Sequence, residues 1–114
     1  TCIKNIFDKY SYTCDTHTAV AVKVYQDYVK ETGDKLKTVI ASTASPYKFA
    51  NSVLDGLGCY DENSDEFQLV DKLSEVSRLE VPASLSELKD KKVRFSSLIE
   101  KDEMINYVIK SLNI

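Results

Sequence analysis

Hydrophobic positions recur at helical spacing from the first residues: Ile3, Ile6, Phe7 and Tyr10 lie on one face and predict an N-terminal helix. Tyr12-Thr13-Cys14 then reads as a short β-prone stretch. Asp15 or Thr16 can cap a second helix running to about Glu31, and Gly33 ends it. Ala19, Val20, Ala21, Val22, Val24, Tyr25, Tyr28 and Val29 make that helix apolar over more than half its circumference, which predicts packing against a sheet. Val39, Ile40 and Ala41 form a short apolar run of the kind found in parallel strands covered on both faces. The pattern predicts a strand over 38–42 that turns into a helix opening at Pro46, closing a right-handed βαβ unit. Phe49, Val53, Leu54 and Leu57 carry the next helix, with Gly56 and Gly58 as its stop.

Everything later reads as helical. Asn63 and Glu66 match a capping pattern ahead of Phe67, Val70, Leu73 and Val76. Pro82 opens a short helix through Leu85 and Leu88, and Ser97 and Glu100 precede Met104, Tyr107, Val108 and Leu112. Residues 93–95 are the remaining strand candidate. The expected fold class is α/β: a single, helix-rich unit over 1–114, with a short parallel βαβ core over 1–58 and a helical tail over 59–114.

Composition narrows the partners. The 114 residues are 43% hydrophobic and 29% charged, with a net charge of −3 and no basic stripe to follow a phosphate backbone, so nucleic acid is not an expected partner. No apolar run approaches the roughly 20 residues that cross a bilayer and no signal segment opens the chain, so a cytoplasmic protein without membrane contact is expected. Cys2, Cys14 and Cys59 are an odd set without a C-x-x-C pair, which predicts reduced thiols. Cys14 and His17 lack further ligands, so no metal is expected. The start at Thr1, at the edge of an amphipathic helix, reads as a piece of a longer polypeptide.

The candidate chemistry gathers between residues 42 and 48. Ser42, Thr43, Ser45 and Lys48 crowd a predicted strand-to-helix corner, where unpaired N–H groups favour an anion or a polarised ring atom. Ser45 suits the N-cap ahead of Pro46, and Lys48 places a cation in a first helical turn, where it opposes the dipole unless an anion is bound. His17, the single histidine, falls on the same expected edge as Thr43. A free-standing module that binds a small anion, or a packing domain without a ligand, would fit the same residues.

Two blocks then carry a family resemblance: Asp15-Thr16-His17-Thr18-Ala19-Val20-Ala21 and Ser42-Thr43-Ala44-Ser45-Pro46-Tyr47-Lys48-Phe49. They resemble the D-P-H-T-A-V-A and S-T-A-H-P-x-K-F segments of the C-terminal portion of threonine synthase, and the acidic, helical stretch from Asp65-Glu66-Phe67 through Met104 is similar in character. The resemblance implies a pyridoxal-phosphate lyase of the tryptophan synthase β-like fold that converts O-phosphohomoserine and water to threonine and phosphate, in threonine biosynthesis. It implies that Thr43 binds the cofactor at its pyridine nitrogen and that Lys48, Ser45 and His17 face substrate or phosphate. Ser45 stands where the family has histidine, and Thr16 where it has proline. No lysine here occupies the family's S-x-K-D context, so the Schiff-base lysine is expected upstream, no residue of this chain is assigned a catalytic role, and the chain by itself is expected to be inactive. Severed from the remainder of the polypeptide, it is expected to self-associate.

Overall fold

The computed structural model describes residues 1–114 as six α-helices and three single 3-10 turns, with no β-strand. Helix α1 (Cys2–Tyr10) begins where the Thr1 side chain accepts the N–H of Lys4 and ends at Ser11 in the left-handed region. Helix α2 (Thr16–Thr32) is capped by Asp15 and closed by Gly33 at φ 69°. Ser45 caps a 3-10 turn, Pro46–Phe49, that runs directly into α3 (Ala50–Leu57), which Gly58 ends at φ 79°. Asp65 and Gln68 form a reciprocal capping box at the start of α4 (Glu66–Ser77). The short α5 (Ala83–Ser86) continues into a 3-10 turn, Glu87–Asp90, and a further turn, Lys101–Glu103, leads into α6 (Met104–Leu112).

The core forms around α3. Val53, Leu54 and Leu57 of α3 meet Ile3 and Ile6 of α1 on one side and Leu69, Val70 and Leu73 of α4 on the other, with Cys14, Ala19, Tyr47 and Ala50 completing the cluster. Val53, Leu54 and Leu73 are sealed from solvent. Tyr47 satisfies its buried hydroxyl by donating to the Leu79 carbonyl at 2.6 Å, which ties the chain after α4 to the turn before α3. All three cysteines are free. No helix is long and apolar enough to cross a membrane.

The expected strands do not form. Tyr12-Thr13-Cys14 is an irregular link between α1 and α2. Residues 34–44 are non-helical, and none of their backbone groups bonds to another backbone group. A strand exists through its ladder, and no other segment of the 114 residues lies alongside to provide one. The helix-rich half of the expected fold class stands; the βαβ unit is absent from the chain by itself. For the same reason Val39, read as a buried strand residue, is 88% exposed, and Val20, Val24 and Tyr28 of α2 face solvent with no sheet to cover them. Residues 93–95 also carry no strand.

Two caps differ from the pattern. Helix α4 starts at the Asp65–Gln68 box and not at Asn63, whose N–H and amide instead bond Asp61. Gly56 is not a stop: it lies within α3, where a side chain would collide with α1. The tail projects from the core. Helix α6 has no buried residue, Leu98 is 96% exposed, and the radius of gyration is 19.4 Å, well above the about 13 Å of a compact chain this long.

A Cβ at Gly56 would stand 2.9 Å from Ile3 Cδ1 and 3.2 Å from Ile3 Cβ. Gly56→Ala is therefore expected to destabilise the fold by about 1–2 kcal/mol despite alanine's better helix propensity, because the two helices must separate. Ile3→Val removes Cδ1 and should recover part of that loss in the Gly56→Ala background, read by chemical denaturation; additive losses in the double variant would refute the contact.

Candidate functional site

The N-terminus of α2 is built on a buried carboxylate. Asp15 is 1% exposed, and its Oδ1 accepts the N–H groups of His17 at 2.9 Å and Thr18 at 3.3 Å. Its Oδ2 accepts the Thr18 hydroxyl at 2.5 Å and lies 3.5 Å from the hydroxyl of Ser42. The Thr18 and Ser42 hydroxyl oxygens are 3.0 Å apart, and Tyr12 donates to Ser42 at 3.1 Å. A carboxylate only accepts, so Thr18 and, at longer range, Ser42 donate to Asp15, while Tyr12 donates to Ser42. Burial pushes the Asp15 carboxyl up, but the Thr18 hydroxyl, the two N–H groups and the nearby His17 outweigh it, leaving the group below the ordinary carboxylate range.

Beside this network, the two sequence blocks meet over one ring. The His17 imidazole packs on Phe49 with centroids 5.2 Å apart, and the Lys48 ammonium stands 5.5 Å from the centre of the same ring. His17 Nδ1 is also 3.4 Å from Asp15 Oδ1. Both side chains reach solvent, so two groups able to carry positive charge share an exposed edge. Ser45 is spent as an N-cap, its oxygen accepting the N–H of Tyr47 at 3.3 Å. Thr43 is exposed, and its hydroxyl bonds nothing in the chain. Of the three hydroxyls at the corner, Thr43 alone is uncommitted.

Reasoning from sequence placed His17, Thr43, Ser45 and Lys48 at one edge, and the structure joins His17 to Lys48 through Phe49. It gave Phe49 only a place on the apolar face of the next helix, and Asp15 only a cap. The signal for Asp15 was an aspartate three positions before a threonine at a helix start, where both side chains can meet. On the far side of Lys48, a cavity of about 790 Å³ opens among the Pro46–Phe49 turn, α3, α4 and α5. Asp65 and Glu66 on its wall make it a poor home for phosphate.

No group of histidine, cysteine or carboxylate side chains is arranged to hold a metal ion. The chain is thus a helical domain in which His17 and Lys48 share the exposed edge at Phe49, while the exposed Thr43 makes no contact that joins it to them. The family model described as threonine synthase, C-terminal, matches residues 18–109, and the chain belongs to that family. The match takes in Thr18, Thr43, Ser45 and Lys48, while Asp15 and His17 lie just before it. No curated protein and no solved structure matches the chain.

Because the Asp15 carboxyl is held below its unfolded value of about 3.9, the unfolded chain binds the extra proton between the two values, and stability rises with pH across that window. The contribution is complete above about pH 5 and is lost as pH falls through the folded-state value. Acid unfolding followed by circular dichroism should show Thr18→Val beginning to unfold at higher pH than wild type, because it removes the strongest bond to the carboxylate. Asp15→Asn should cost about 1–3 kcal/mol at neutral pH and flatten the acid dependence; an unchanged acid limb in both variants would contradict the assignment.

Proposed function

We propose that this chain is the C-terminal part of a pyridoxal-phosphate-dependent threonine synthase, in which it forms one wall of the site that converts O-phosphohomoserine and water to threonine and phosphate. The single observation that carries the reading is the uncommitted Thr43 hydroxyl in a chain of the threonine synthase C-terminal family. A neutral hydroxyl suits a pyridine nitrogen, which it can meet without protonating it as a carboxylic acid would. When bound, the cofactor supplies the electron sink for deprotonation at the α and β carbons of the substrate and for departure of its phosphate.

The residues of this chain have narrower tasks. Thr43 holds and orients the ring edge. Gathered around Phe49, Lys48 offers positive charge and His17 a ring N–H to a substrate or cofactor phosphate. Ser45 contributes through its cap, which shapes the turn carrying Lys48. The Schiff-base lysine belongs to the remainder of the polypeptide, so this chain by itself is inactive. The same polypeptide is the partner for the unpaired backbone of residues 34–44, which would add a strand to the tryptophan synthase β-like sheet, and for the exposed faces of α2 and α6. A cytoplasmic setting fits this role.

In the longer polypeptide, Thr43→Val is expected to retain cofactor colour while lowering phosphate release from O-phosphohomoserine about 10-fold, the equivalent of one lost hydrogen bond. A wild-type protein that neither binds pyridoxal phosphate nor releases phosphate would overturn the reading. Expressed alone, residues 1–114 should elute larger than a 12.9 kDa monomer on size-exclusion chromatography and bind a hydrophobic dye through α2 and α6. A clean monomer at high concentration without dye binding would contradict the assignment of those faces as buried surfaces.

A further inference from the structure

A hydroxyl can orient a ring only if its own backbone is held, and residues 34–44 have no ladder to hold them. Within this chain side chains make the ties, and they add to any sheet pairing that the longer polypeptide supplies. The local bonds of this segment, from Leu36 N–H to Asp34 and from the Thr38 hydroxyl to the Leu36 carbonyl, stay within it. Between residues 35 and 44, every side-chain hydrogen bond that reaches another part of the molecule involves Ser42, the residue before Thr43, which accepts from Tyr12 and Thr18 and donates to Asp15. Of these three, Asp15 is the group without a proton to give, and it is sealed from water. Remove it and the Thr18 and Ser42 hydroxyls lose the acceptor that fixes their direction.

We infer that Asp15 is a positioning residue for the reaction: through Thr18 and Ser42, its carboxylate sets where the Thr43 hydroxyl stands. The inference rests on the proposed role of Thr43 and adds a residue that touches neither cofactor nor substrate. It also explains why the two sequence blocks occur together, since one supplies the acceptor and the other the hydroxyl it holds. A helix cap alone would need neither Ser42 nor Tyr12.

The test separates cap from positioning. Asp15→Ser keeps an N-cap acceptor for α2 but withdraws the second oxygen from Thr18 and Ser42, and Ser42→Ala cuts the tie without touching the cap. In the longer polypeptide, each variant should lower kcat for phosphate release about 10-fold with KM changed less than twofold, and shift the absorbance maximum of the bound cofactor. Thr18→Ser, which keeps the hydroxyl, should behave as wild type. In cofactor-free protein with threonine methyls labelled for NMR, Thr43 should give one ordered resonance in wild type and a broadened or averaged one in Asp15→Ser and Ser42→Ala. Wild-type kinetics, spectrum and Thr43 resonance in Asp15→Ser would reduce Asp15 to a cap and overturn the inference. If wild type shows neither colour nor turnover, the functional reading fails instead, and an unperturbed Thr43 resonance in the variants still overturns the positioning role.

Discussion

A buried carboxylate with nothing to donate organises the start of α2 and its tie to the segment at Ser42. Asp15 gives one oxygen to the first turn of α2 and the other to Thr18 and, at longer range, Ser42, so one residue ends a link, starts a helix and fastens a distant segment. Desolvating an ion is expensive, and the arrangement is tenable because hydrogen bonds reach both oxygens. The hydrophobic core does different work. Packing of α1 and α4 on α3 fixes the Pro46–Phe49 turn, through Tyr47 and Ala50, and so fixes the base of the edge that carries Lys48.

Elements governed by local chemistry were legible in the sequence. Asp15 and Gly33 bracket α2 as their residue types predict, and Ser45 with Pro46 opens a helical turn. The apolar positions of α3 and α4 that the periodicity selected, Val53, Leu54, Leu57, Val70 and Leu73, are core residues. What failed depended on partners distant in space. Val39, Ile40 and Ala41 have a strand's composition, but a strand is a relation between two segments, and the chain holds no second one to complete it. Gly56 was misread because its close approach to Ile3 is tertiary, with no trace in local pattern.

The site was legible to a similar depth. The residue types at 17, 43, 45 and 48 marked an edge, of which the structure brings His17 and Lys48 together over Phe49. Their division of labour was not visible. Ser42, Thr43 and Ser45 look interchangeable on paper, yet Ser42 belongs to a buried network, Ser45 to a cap and Thr43 to neither. The structure separates them by what each oxygen is bonded to, and Thr43 alone has no partner within the chain.

The central claim, that Thr43 is kept free by a network that fixes its neighbour, is tested most directly by a crystal structure of the longer threonine synthase polypeptide with pyridoxal phosphate bound. The account predicts the Thr43 hydroxyl within hydrogen-bonding distance of the pyridine nitrogen, with Ser42 still joined to Thr18 and Asp15. A ring nitrogen met by another residue, or a Ser42 detached from Asp15 while Thr43 keeps its place, would contradict it.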